Sequence, residues 1–192
     1  MKLDPLLLER VRQCQICKSV LPNPPRPLLQ FHPGAKILIA GQAPGKKAHE
    51  TSTLFNDASG DRLRDWMGVS REVFYDPKSI AILPMGFCYP GKGKSGDLPP
   101  RPECAPAWRE LLMEQMTNLE LIIVIGRYAQ DYHFGKDGLS VTERVKSWQA
   151  CWPDKVSLPH PSPRNNPWLK KNPWFEQELI PVLQKRISEV LV

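Results

Sequence analysis

Four cysteines fall in a pattern that thiolate-bound metals use. Cys14-Gln-Ile-Cys17 is a C-x-x-C pair, and Cys88 and Cys104 follow with fifteen residues between them. In a cytosolic chain, one such pair plus two more cysteines suggests a four-thiolate site, suited to a [4Fe–4S] cluster or to Zn²⁺. Buried free cysteines are the alternative, and Cys151 stands apart. His160 lies between Leu158-Pro159 and Pro161-Ser162-Pro163, a rigid frame that fixes where an imidazole points. A histidine so held can donate a hydrogen bond to charge developing on a substrate, or be satisfied by backbone in a Pro-rich turn. The stretch Arg164 to Trp174 mixes cations, amides and two indoles. Arg164, Asn165, Lys170 and Lys171 suit phosphates, with Trp168 or Leu169 as a wedge against bases. Lys46, Lys47, Lys92 and Lys94 add to that surface. A solvated basic face with core-anchoring tryptophans is the plainer reading. Phe55 can stack on a flat ring or belong to the core.

These groups need a frame, and Lys36-Ile-Leu-Ile-Ala-Gly-Gln-Ala-Pro-Gly45 is its centre. The apolar run reads as a strand buried on both faces, the mark of a parallel α/β sheet. It stops in a tight turn, where such sheets bind ligands. Gly41 and Gly45 let backbone approach a ligand where a Cβ would intrude. Ile80–Leu83, Leu121–Ile125 and Val156–Leu158 read as further strands. Helices are expected after Asp4-Pro5 to about Arg12, from Ser59 or Asp61 to Trp66, and over Pro102–Met116, with Trp108, Leu111, Leu112 and Met116 on one side. Others cover Tyr128–Phe134, Val141–Trp148 and a C-terminal stretch from Asn172-Pro173, bent or restarted at Pro181. Residues 49–56 read as a polar loop. The expectation is a three-layer α/β/α sandwich around a four-stranded parallel sheet, one domain over residues 1–192.

A chain of 192 residues is long enough for one such domain and short for two. Its net charge of +6 suits a polyanionic partner. The 21 prolines concentrate in a few segments, which predicts long ordered loops. No apolar run reaches membrane-spanning length. The N-terminal residues lack the apolar core of a signal peptide, so a cytoplasmic location is expected.

Together these pieces resemble the uracil-DNA glycosylase superfamily, from Cys14 to the C-terminal helix. Gly41-Gln-Ala-Pro-Gly45 is similar to its first motif, which in the iron–sulfur branch reads Gly-Glu-Ala-Pro-Gly. In that branch a Phe ten residues on stacks on uracil; here that residue is Phe55, and a following Gly matches Gly60. Cys14, Cys17, Cys88 and Cys104 fall at the branch's cluster positions, which favours [4Fe–4S] over zinc. His160-Pro-Ser-Pro-Arg-Asn165 resembles the second motif, closest to its form in the single-strand-selective branch. There are departures. Gln42 stands where the iron–sulfur branch has a water-positioning Glu, and Ala43 where the best-known uracil enzymes have an Asp. Leu83-Pro-Met-Gly-Phe-Cys88 lacks the Asn that often reads uracil.

The resemblance implies a monomeric DNA-repair hydrolase that excises uracil or another deaminated base by cleaving the N-glycosidic bond. Phe55 and the backbone from Gly41 to Ala43 would bind the base, His160 would stabilise the leaving group, and Gln42 could orient water. His49, Glu50 and Asp57 are the candidate water activators. Two other readings remain: a non-catalytic nucleic-acid-binding module on the same fold, and a zinc-stabilised hydrolase of a small nucleotide.

Overall fold

The computed structural model describes residues 4–192; the reading of residues 1–3 as part of a leaderless start lies outside them. Among the described residues there are six strands: β1 (Ile37–Ala40), β2 (Ile80–Ile82), β3 (Lys92–Gly93), β4 (Gly96–Asp97), β5 (Leu121–Ile125) and β6 (Lys155–Leu158). Four form one parallel sheet in the order β2-β1-β5-β6, with Ile39 opposite both Ile82 and Ile123. Every residue of β1 and β2 is buried, as expected of strands covered on both faces. β3 and β4 pair separately as an antiparallel hairpin.

The helices are α1 (Leu7–Arg12), α2 (Lys46–Thr51), α3 (Ala58–Met67), α4 (Arg71–Phe74), α5 (Cys104–Glu114), α6 (Gly126–Phe134), α7 (Val141–Lys146), α8 (Asn166–Lys171) and α9 (Ile180–Val190). Side chains alternate across a strand, so β1 feeds two cores. Ile37 and Ile39 pack with Leu63 and Met67 of α3 and Leu183 and Ile187 of α9. Leu38 faces Leu7 and Val11 of α1 and Leu112 of α5 on the other side. The result is the expected three-layer α/β/α arrangement. The chain passes from β1 to β2 on one side of the sheet and later to β5 on the other side of β1. The connections therefore diverge at the carboxyl end of β1 and leave a crevice there.

Several local expectations change. Residues 46–51 of the expected turn and polar loop form α2, with Gly45 as its N-cap. α3 starts earlier than expected, because the Asp57 side chain accepts from the Gly60 N–H at 3.0 Å and caps it. Leu111 is 45% exposed, and the residue α5 buries instead is Arg109. The C-terminal segment has a separate α8, then a π-helical turn at Phe175–Leu179, and restarts as α9 with Pro181 in its first turn. No described helix is long and apolar enough to cross a membrane.

Candidate active site

The carboxyl ends of the strands open into a cleft of about 610 Å³. Its floor is the loop Gly41–Gly45, one wall carries Phe55 and Asp57, the other carries His160 to Asn165, and the β3–β4 hairpin closes the rim with Ser95, Gly96 and Asp97. Neither Gly41 nor Gly45 has a left-handed φ. A Cβ at Gly41 would meet nothing nearer than Phe55 Cζ at 3.8 Å, and one at Gly45 nothing nearer than Asp97 Oδ2 at 3.5 Å. Folding therefore does not demand glycine at either position; its absent side chain leaves room in the cleft.

His160 follows β6 and is half-buried. Its Nδ1 accepts the Ser162 backbone N–H at 3.2 Å. A ring nitrogen that accepts from backbone carries no proton, so the neutral ring bears its proton on Nε2. Burial pushes the His160 pKa below its usual value, while Asp57 and Asp97 pull it up. The loop is held from two sides. Asn165 Nδ2 donates to the His160 carbonyl at 2.7 Å. Arg62 of α3 donates to the carbonyls of Pro161 and Ser162 at 3.3 and 3.1 Å and to Asn166 at 2.8 Å.

Phe55 has a left-handed φ of 54°. Its ring meets Phe74 edge-on at 6.0 Å, and Arg64 donates to its carbonyl at 3.3 Å. Gly60 is required beside it, since a Cβ there would lie 1.7 Å from the Phe55 carbonyl oxygen.

The candidate water activators separate. Only Asp57 reaches the cleft, and one of its oxygens caps α3. The helical turn of α2 buries Ala48 and carries His49 and Glu50 into a neighbouring cleft beside Arg26, Lys46 and Tyr89. There Glu50 pairs with Lys46 at 3.6 Å. Gln42 is committed as well: its Nε2 donates to the Leu98 carbonyl at 3.1 Å and ties the hairpin to the floor. Arg164 ties the hairpin's other end, donating to the Ser95 carbonyl at 3.1 Å. Asp97, absent from the expected site, stands between these ties on the rim. Desolvation lifts its pKa above the ordinary carboxylate value, against the pull of Arg164, His160 and Lys92.

The basic loop also divides. Arg164, Lys170 and Lys171 are exposed. Trp168 is not a free wedge: its Nε1–H donates to Thr142 Oγ1 at 2.7 Å, and its ring packs edge-on against Phe175 at 5.5 Å. Leu169 likewise packs against the core, because α8 turns both residues inward. Over residues 163–174 the exposed apolar residues are Pro163, Pro167 and Pro173, and of these Pro163 lines the cleft.

Cys14, Cys17, Cys88 and Cys104 line one small cavity with Leu21 and Trp108, while Cys151 is exposed elsewhere. Among the described residues, no three His, Cys, Asp or Glu side chains are already drawn together at metal-binding positions. The indole of Trp108 donates to Cys14 Sγ at 3.2 Å, and the Phe87 N–H to Cys104 Sγ at 3.3 Å. Burial pushes the Cys88 thiol up to about 11 and the Cys104 thiol up to about 12, and the neighbouring thiols add to both shifts. Four soft donors around one cavity, two of them thiols that burial makes costly to ionise, fit a cationic metal group, which reverses that penalty.

Arg109 supports the cleft from below. It is fully buried, and among the described residues no carboxylate pairs with it. One Nη donates to the carbonyls of Leu83 and Pro84, and the other to His133 Nε2 at 2.8 Å. It thereby pins the end of β2, from which the Met85 and Gly86 N–H groups bond to the carbonyls of Gly41 and Gln42 at 2.9 and 3.0 Å. Burial lowers the Arg109 pKa to about 10. Burial and the Arg109 charge lower that of His133 to about 3. The sequence offers little warning of Arg62 or Arg109, since arginine on a helix usually reads as surface.

A family model described as the uracil DNA glycosylase superfamily matches residues 29–184. Among solved structures, the fold is similar to the solution NMR structure of a Methanosarcina acetivorans protein provisionally described as a uracil DNA glycosylase. The TM-score is 0.50 at 18% identity, covering 84% of this chain and 97% of that one.

Proposed function

The chain belongs to the uracil DNA glycosylase superfamily, and from that premise we propose that it excises uracil or another deaminated base from DNA by hydrolysing the N-glycosidic bond. The observation that carries this reading is the cleft at the strand ends, where the Gly41–Gly45 loop, Phe55 and a neutral His160 meet. Cleavage of a deoxynucleoside builds positive charge on the sugar and negative charge on the departing base. The base first leaves the stack at a cost of about a few kcal/mol. Phe55 then stacks on it, and the side-chain-free surfaces at Gly41 and Gly45 admit its ring. The Nε2–H of His160 is poised to donate to a base carbonyl as that oxygen gains charge. Removing a comparable preorganised donor costs about 3–4 kcal/mol of transition-state stabilisation. A neutral donor suits this task, because its proton stays on the protein until the bond breaks. Arg164, Lys170 and Lys171 would hold phosphates, with Pro163 at the mouth where the vacated stack must be filled.

The four cysteines would hold a [4Fe–4S] cluster, with Zn²⁺ as the alternative occupant. Its contribution is structural: Cys14 and Cys17 follow α1, and Cys104 opens α5, whose Arg109 pins the end of β2.

The test incubates the protein with single- and double-stranded oligonucleotides carrying uracil, hypoxanthine or xanthine, followed by alkaline cleavage of abasic sites. Strand breaks with wild type, and at least a hundredfold fewer with His160→Ala, are expected. DNA binding with no strand break on any substrate identifies a non-catalytic binding module. Unchanged activity in His160→Ala removes its assigned role.

A further inference from the structure

We propose that Asp97, carried by the β3–β4 hairpin, is the general base that activates the attacking water, an assignment that rests on the glycosylase reading. The Gly41–Gly45 loop has no carboxylate, with Gln42 and Ala43 at its centre. Two acidic side chains line the cleft, Asp57 and Asp97. They differ in commitment. Asp57 Oδ1 is held by the N–H of Gly60, where it caps α3. Among the described residues, no donor bonds to the Asp97 carboxylate and no ion pair holds it, so both oxygens are free for water.

The position of Asp97 is nonetheless defined. Gln42 holds the Leu98 carbonyl on one side of it, and Arg164 holds the Ser95 carbonyl on the other. The Leu98 N–H closes the hairpin base on the Gly91 carbonyl at 2.8 Å, and Lys92 sits opposite Asp97 in the ladder. Gly45 has no side chain, and a Cβ there would come within 3.5 Å of Asp97 Oδ2, so the carboxylate lies against the floor of the cleft. The residue standing at the usual acidic position thus helps fasten a hairpin that brings an acid from elsewhere.

In the reaction, an ionised Asp97 oxygen takes a proton from water as the water oxygen bonds to C1′ of the deoxyribose. The electron pair of the C1′–N bond passes to the base, where the His160 Nε2–H stabilises it. The proton on Asp97 returns to solvent and the released base anion takes one up, leaving a C1′ hydroxyl on the sugar. Lys92, His160 and Arg164 favour the ionised carboxylate. Desolvation opposes it; Asp57 lines the same cleft, and Tyr89 faces the same carboxylate from the neighbouring one. Asp97 is therefore expected to ionise above the usual carboxylate range, and the rate to fall as pH drops through that value.

The experiment measures single-turnover base release on the best oligonucleotide of the uracil, hypoxanthine and xanthine set. It compares wild type, Asp97→Asn, Asp97→Ala and Asp57→Asn, with DNA affinity and thermal stability measured in parallel. Asparagine is a good N-cap, so Asp57→Asn removes a charge while keeping the α3 cap. A loss of about 10²–10⁴-fold is expected for Asp97→Asn, with DNA binding retained, the acid limb of the pH–rate profile abolished and partial rescue of Asp97→Ala by added formate. Wild-type rate in Asp97→Asn, with the loss appearing in Asp57→Asn, overturns the assignment and leaves the glycosylase reading standing. Absence of base release from wild type on every substrate overturns both.

Discussion

Gly60→Ala separates a glycine the fold requires from one the cleft requires. The new methyl carbon would sit 1.7 Å from the Phe55 carbonyl oxygen, 2.5 Å from its carbon and 2.8 Å from its Cβ. An ordinary C···O approach is about 3.3 Å or more, so backbone has to move, and the segment that must move is the left-handed turn at Phe55. Overpacking of this kind costs about 1–3 kcal/mol. Displacing the Phe55 carbonyl from Arg64 removes a charged hydrogen bond worth about 1.5–3 kcal/mol. The better helix propensity of alanine returns about 1 kcal/mol. The net is about 3 kcal/mol, which for a chain of this size lowers Tm by about 6–12 °C. Urea unfolding should show a lower midpoint at unchanged slope. Gly41→Ala is the control: the nearest atom to its Cβ is 3.8 Å away, and the backbone is one an L-residue adopts. Its stability should stay within about 0.5 kcal/mol of wild type, while base release falls because the methyl occupies the cleft. A Gly60→Ala protein as stable as wild type would refute the reasoning, as would a destabilised Gly41→Ala.

His133 is held neutral by burial and by Arg109, with its pKa lowered to about 3. The unfolded chain takes up this proton near pH 6.5 and the folded chain does not, so stability is full above that value and is lost as pH falls toward 3. The slope is at most about 1.4 kcal/mol per pH unit; His133→Gln should flatten it, and an unchanged pH–stability curve would count against the pairing. Anaerobically purified protein should carry iron with broad visible absorption, and Cys88→Ser or Cys104→Ser should lose both the metal and several degrees of Tm. Metal-free wild type of unchanged Tm would argue that the thiols are only packing. DNA affinity should fall linearly on a log–log salt plot, with Lys170→Ala and Lys171→Ala each reducing the slope by about 0.9; a flat plot would point away from DNA.

Much of this architecture was legible in the residues, and the failures have physical causes. β1, β2 and β5 announced themselves as short apolar runs, since strands buried on both faces admit little else. The family resemblance singled out Phe55 by its spacing from Gly45, the Pro-rich frame singled out His160, and the fold brings both into one cleft. The helix α2 was hidden because Gly45-Lys46-Lys47 reads as the end of a turn, although Gly45 caps the helix. That helix explains why His49 and Glu50 leave the cleft: as the fourth and fifth residues of α2, they line the neighbouring cleft instead. Asp57 is ambiguous from sequence because the same carboxylate suits an N-cap and a base. Asp97 gave no signal, since strands of two residues in a Gly- and Lys-rich loop have no period to read. Trp168 carried the pattern of a wedge and the pattern of a core anchor alike, and its bond to Thr142 is a long-range contact that spacing does not encode.

The central claim is that the cleft at the carboxyl ends of β1 and β6 holds a flipped base while its glycosidic bond is cut. Mass spectrometry of a single-turnover reaction tests it most directly, by weighing both products from a uracil-, hypoxanthine- or xanthine-containing oligonucleotide. The account predicts free base and an abasic strand in equal amounts, with neither formed by a Phe55→Ala, His160→Ala double variant that still binds the DNA. Intact oligonucleotide recovered from saturating wild-type protein on every substrate, or equal base release by the double variant, would contradict it.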